Sequence, residues 1–260
     1  TNMKDMLRET TNFNQDLSIW DVSSVINMDA IFHTTSSFNG DISTWDVSGV
    51  TKMESMFYNA DAFNGDISIS GWDVSSVTNM GHMFRGNDSF NQDLSTWDVS
   101  SVTDMSQMFY GAENFNQDLS SWDVGSVMDM LGMFRDASSF NGDISEWNVS
   151  SVTNMENMFR DAANFNQDIS SWDVAIVTNM QRMFYNAESF NQDLSGWDVS
   201  NVTNMTSIFN GATALSDENQ CAIHTAFSSN ANWPYDWSDL GAAIVFQPQD
   251  LAELQTAVDL

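Results

Sequence analysis

Phe140-Asn141-Gly142-Asp143-Ile144-Ser145-Glu146-Trp147 decides the fold, because the chain repeats this phrase along most of its length. The pattern Phe-Asn-(Gln/Gly)-Asp-(Leu/Ile)-Ser begins at Phe13, Phe38, Phe63, Phe90, Phe115, Phe140, Phe165 and Phe190. Successive starts lie 25 residues apart, except from Phe63 to Phe90, where Ile69-Ser70 read as a two-residue insertion. A fixed period in this range marks a stacked array, in which each unit buries its apolar side against its neighbours.

Outward from the quoted phrase, residues 143–149 set Ile144, Trp147 and Val149 among polar residues, which predicts a short strand. Ser150 to Met155 read as a turn. Met155, Met158, Phe159 and Ala162 then fall at i, i+3, i+4 and i+7, which predicts one face of a short helix. Thr153 with Glu156, and Thr51 with Glu54, match a capping box at its start. Trp147, Met155 and Phe159 each head a column that recurs in the other units, and like side chains are expected to stack into one core. The expected fold is an α/β repeat solenoid of about eight right-handed strand-turn-helix coils over residues 1–215, roughly 40 Å long at the spacing of neighbouring strands.

The string from Phe115 to Val127, and Thr78-Asn79-Met80 leading to Met83-Phe84, resemble the BspA-like leucine-rich-repeat surface proteins. The same repeat occurs in mycoplasma surface lipoproteins of unknown function. The resemblance runs from residue 1 to about 215. It implies an extracellular or cell-surface, leucine-rich-repeat-like solenoid with a role in adhesion to host or matrix proteins, and no catalytic residue.

Composition narrows the partners. Lys and Arg total 7 against 36 Asp and Glu, a net charge of −29. Phosphate recognition needs a basic footprint, so nucleic acid is excluded as a partner. No apolar run is long enough to span a membrane. The single cysteine, Cys221, rules out an internal disulfide. Cys221 and His224 sit three residues apart on a predicted helix, but no orienting group or oxyanion site accompanies them, and a non-enzymatic chain is expected. That helix starts at the cap Ser216 and runs to about Ser228. Residues 216–243 are expected to close the array. Residues 244–260, with Leu251, Leu254 and Val258 in helical spacing, read as the start of a following module. The chain opens within a repeat, which suggests a piece of something longer.

Three sets of columns are candidates for function. The residue after the helical Phe gives Arg8, His33, Tyr58, Arg85, Tyr110, Arg135, Arg160, Tyr185 and Asn210. Four of the five arginines and three of the four tyrosines fall there, and these residue types dominate binding hot spots. Tyr58, Arg85, Tyr110, Arg135, Arg160 and Tyr185 are therefore the expected contact residues for a protein or glycan. The competing reading is a surface network with the adjoining Asp136 and Asp161. Ser18 and its successors, beside the mixed column that starts at Ile19, offer a small-residue face that raises ice binding. Two acidic ladders, headed by Asp16 and Asp21, need either hydrogen-bond donors or bridging Ca²⁺ to offset repulsion. In the second case the array would be a calcium-stiffened spacer. The Asn14 column is expected to bond turn to turn.

Overall fold

Each coil has to bury Val, Met, Phe, Ala and Trp without leaving its own backbone groups unpaired. The computed structural model, which describes residues 1–65 and 71–240, meets this by stacking coil on coil. Asn2 pairs with Asn27 in a parallel bridge, and the same bridge continues through Lys52, Asn79, Asp104, Asp129, Asn154 and Asn179 to Asn204. Along this line Thr178 N–H donates to the Thr153 carbonyl of the coil before.

The predicted helix is absent from the coils. In residues 155–162, the N–H groups of Met155, Asn157, Phe159 and Asp161 donate to Asn179, Gln181, Met183 and Tyr185 carbonyls of the next coil, at 2.7–2.9 Å. The alternate donors of Met158, Arg160 and Ala162 turn back to the carbonyls of Met155, Asn157 and Phe159. The chain manages this by entering the left-handed region twice per coil, at Asn157 (φ 56°) and Asp161 (φ 58°). A helix would have spent all these donors within one coil. Thr153 is not the cap: Asn154 Oδ1 accepts the Glu156 N–H, and the Thr153 hydroxyl reaches back to the Met128 carbonyl. The predicted strand at 143–149 is also replaced by turns, because Trp147 N–H folds onto the Ile144 carbonyl. The molecule is a repeat protein built from turns and single bridges.

The core follows the columns. Trp147 and Trp172 stack at 6.3 Å with 6° between their planes. Their buried indole N–H groups donate to carbonyls of the coil before, Trp147 to Leu119 at 2.9 Å and Trp172 to Ile144 at 3.2 Å. Within a coil the two phenylalanines lie face to face, for instance Phe134 on Phe140 at 3.9 Å. Both are fully buried.

Helix α1 (Asp217–Phe227) follows the last coil, with the Ser216 side chain accepting the Asn219 N–H and acidic residues in its first turn. Ile223 and Phe227 are buried. Trp233, Tyr235 and Trp237 then lie over Phe209. The Tyr235 hydroxyl accepts the Phe209 N–H at 2.9 Å, where in earlier coils a carbonyl of the next coil does so. It donates in turn to Asn210 Oδ1. Burial pushes this phenol up to about 12. The insertion at Ile69-Ser70 and the reading of 244–260 lie outside the described residues.

Candidate functional site

Asparagine, aspartate and serine tie the turns together at the surface. The Asn141 side-chain oxygen accepts the Asn166 backbone N–H at 2.8 Å, and the ladder runs unbroken from Asn14 to Ser216. The expected amide ladder is therefore a side-chain-to-backbone one. In both acidic ladders each described carboxylate caps its own turn. Asp143 Oδ1 accepts the Ser145 N–H, and Asp98 Oδ1 accepts both the N–H and the hydroxyl of Ser100. This is the local capping that competes with regular secondary structure. Among the described residues no three or more His, Cys, Asp or Glu gather as a metal site.

These bonds set the acid response. The Ser23, Ser48 and Ser100 hydroxyls hold Asp21, Asp46 and Asp98 below the ordinary carboxylate range, and backbone N–H groups do the same for Asp143, Asp168 and Asp198. Burial raises Asp61 and Asp129, which oppose the trend but are outnumbered. A carboxylate whose pKa is depressed by folding stabilises the fold above its unfolded pKa, and that contribution fades as pH falls through the folded value. The melting temperature is therefore expected to hold from neutral pH to about 5 and to drop below about pH 4. Calorimetry across that range checks it.

The Arg/Tyr column forms a continuous stack over much of its length. His33 lies on Tyr58 at 4.4 Å with 1° between planes. The Arg85 guanidinium sits 5.3 Å from the Tyr58 ring and 4.3 Å from the Tyr110 ring. Arg135 covers the other side of Tyr110 at 4.7 Å, and Arg160 lies 5.3 Å from Tyr185. These distances fall within cation–π range. Side ion pairs support the stack: Arg135 with Asp136 at 3.3 Å, Arg160 with Asp161 at 2.9 Å. Arg85 also bonds the Gln107 side chain. The structure thus brings all six expected contact residues into one half-buried row. The Asp network and the column coexist. The faces of Tyr58 and Tyr110 are taken up inside the row, so their outward contacts fall to ring edges and phenol hydroxyls, beside the guanidinium N–H groups.

A second surface escaped the sequence reading. Ser76, Ser101, Ser126 and Ser151 line up beside Thr78, Thr103, Met128 and Thr153, on either side of a buried Val. Neither column carries a charged residue in any coil, in a chain of net charge −29. Ile26, Met128 and Ile176 stand exposed on it. The signal was present in the phrase Val-Ser-Ser-Val-Thr.

Cys221 is half-buried on α1. Its neighbour His224 uses Nδ1 to accept the Trp233 indole N–H at 3.0 Å. Among the described residues no helix is long and apolar enough to cross a membrane.

A family model described as "Mycoplasma protein of unknown function, DUF285" matches residues 1–69, 66–140 and 121–221, windows that together take in every coil. No curated protein matches the chain. Among solved structures, the chain is similar to an LRR protein of Leptospira interrogans at 7% identity and a TM-score of 0.25; the likeness covers 79% of this chain and 63% of that one.

Proposed function

We propose that this chain, which belongs to the DUF285 family of Mycoplasma proteins of unknown function, is a non-catalytic recognition segment that binds a protein or glycan through its Arg/Tyr row. The observation that carries the reading is the prior ordering of that row. Arg85 and Arg135 are held against both faces of Tyr110 before any partner arrives. Long side chains already fixed in place lose less entropy on binding. Arginine and tyrosine also rank among the strongest interface anchors. The resemblance to BspA-like leucine-rich-repeat surface proteins adds the setting, a surface-exposed adhesive array outside the cell, and the net charge of −29 argues against a nucleic-acid partner. A passive spacer, with or without calcium, is the alternative, and it makes no use of the ordered row.

The test is a glycan array and a panel of matrix proteins, probed with the wild type and with Tyr58→Ala, Tyr110→Ala and Tyr185→Ala combined. Recognition through the row predicts binding that falls at least tenfold in the triple variant. Binding to nothing leaves the spacer standing. The uncharged Ser/Thr strip favours a second reading, contact with the ordered water of ice. An ice-recrystallisation assay on the same two proteins separates it, because the tyrosine changes leave the strip intact and inhibition would survive them.

A further inference from the structure

The coil that begins at Phe140 departs from its neighbours at two outward positions. Glu146 is the one charged residue in a column otherwise held by serine, threonine, glycine and Ile19. Asn148 replaces the aspartate that the other coils carry at that place, from Asp21 to Asp198. Glu146, Asn148 and Ser150 are exposed, while the intervening Trp147 and Val149 are buried, so the three polar side chains share one outward face. Asn148 Oδ1 accepts the Ser150 N–H at 3.2 Å and the Ser150 hydroxyl at 2.7 Å, and its Nδ2 has no partner among the described residues. The coil before supplies a third departure, Gly125, in a column whose other members are serine or alanine. A Cβ there would come within 3.3 Å of Asn148 Nδ2, so the glycine leaves room beside that nitrogen.

Asn148-Val149-Ser150 is an Asn-x-Ser/Thr sequence, the acceptor pattern for N-linked glycans. The pattern occurs at three other places, and the structure sets each of them apart. Asn87 is 0% exposed and has no room for a bulky glycan in the folded chain. Asn201 and Asn204 spend their Nδ2 groups on the Ala175 carbonyl and on Gln181 Oε1, both at 2.8 Å, in bonds that join coil to coil. Asn148 alone combines an exposed position with an unengaged amide nitrogen. The neighbouring residues draw the same line. The bacterial form of the pattern adds an acidic residue two places before the asparagine. Asn148 has Glu146 there, whereas Asn87, Asn201 and Asn204 have Arg85, Val199 and Val202.

We infer that Asn148 is a modification site, the acceptor of an N-linked glycan drawn from a polyprenyl-pyrophosphate-linked oligosaccharide. The inference rests on the extracellular setting of the recognition reading, since such transfer takes place on chains exported across a membrane. In the transfer a bond forms between Nδ2 and the anomeric carbon of the first sugar. The bond from that carbon to the pyrophosphate oxygen breaks, its electron pair leaves with the pyrophosphate, and one Nδ2 proton passes to solvent. No oxidant or reductant takes part. The product retains Oδ1 and with it both bonds from Ser150 that close the turn. A glycan on Nδ2 therefore displaces no hydrogen bond between coils.

The test incubates the folded full chain with a purified bacterial oligosaccharyltransferase and its lipid-linked donor, and reads the intact mass before and after. A peptide covering residues 144–152 serves as the unfolded control. The wild type is expected to gain one glycan per chain. Asn148→Asp installs the residue of the other coils, and is expected to melt like the wild type and to gain none. Glu146→Ser installs the residue of the coils on either side, Ser121 and Ser171, and is expected to cut transfer at least tenfold at an unchanged melting temperature. A wild type left unmodified while the peptide is modified means that the fold hides the amide, and the inference falls. Failure of both, or a glycan that persists in Asn148→Asp, overturns it as well. The assay makes no use of the Arg/Tyr row, so failed transfer leaves a positive array result standing, and an array without binding leaves the glycan site standing.

Discussion

Phe134→Ala is expected to destabilise the array by about 3–5 kcal/mol, the range for deleting a fully buried phenylalanine. The site cannot collapse easily. Phe134 is fully buried, lies on Phe140 at 3.9 Å, and is flanked by Phe109 at 5.6 Å and Phe159 at 5.8 Å in the coils on either side. The backbone on each side is pinned by inter-coil hydrogen bonds, including Phe134 N–H to the Met158 carbonyl, so neighbouring coils cannot slide inward to fill the hole. Each coil of such an array touches only its neighbours, so the loss weakens two interfaces at once. Urea unfolding followed by tryptophan fluorescence reads it directly. The same change at Phe13, which is only half-buried in the first coil, is expected to cost clearly less. Equal losses at the two positions, which lie in the two facing phenylalanine columns, would mean that burial does not grade the core, and the stacking account would fail.

How much of this the sequence shows depends on which physical signal one reads. Period and columns were legible, because a solenoid places like on like: the tryptophans, methionines and phenylalanines stack as their spacing predicts. Helix α1 was legible from Ser216 and the acids that follow it. The coils' local structure was misread for a specific reason. Met155, Met158, Phe159 and Ala162 have helical spacing, but they are buried by a chain that alternates between turning on itself and bonding to the next coil. Burial periodicity does not distinguish these two paths. The distinguishing signal lay in the residue two after the arginine or tyrosine position's preceding phenylalanine: Asn59, Gly86, Gly111, Asp136, Asp161, Asn186 and Gly211 all have positive φ. Glycine, asparagine and aspartate are the residues that enter this region at least cost. A column of them inside a supposed helix argues against that helix. The Arg/Tyr row was legible as a row but not as a stack, because only coordinates show that guanidinium groups cover the ring faces.

Asn87→Ala is expected to stabilise the protein by about 1–3 kcal/mol, the cost of leaving a buried polar group unpaired. Asn87 is 0% exposed, and neither its Oδ1 nor its Nδ2 has a partner among the described residues. Its column is otherwise filled by Ala60, Ala112, Ala137, Ala162, Ala187 and Ala212, all buried, with the exposed Thr10 and the buried Thr35 as the other polar members. Thr35 meets its need by donating to the Leu7 carbonyl at 2.9 Å, whereas Asn87 finds no such acceptor. Alanine is therefore the residue this environment accepts elsewhere with the same neighbours above and below. The opposing term is the space left by the lost amide, a few heavy atoms whose packing contributes less than the relief of two unpaired polar atoms. A urea midpoint that rises with an unchanged slope is the expected result, because the slope follows the surface exposed on unfolding and that surface barely changes. A midpoint that falls would show that Asn87 has a partner such as a buried water, and that the amide holds the coil together rather than straining it.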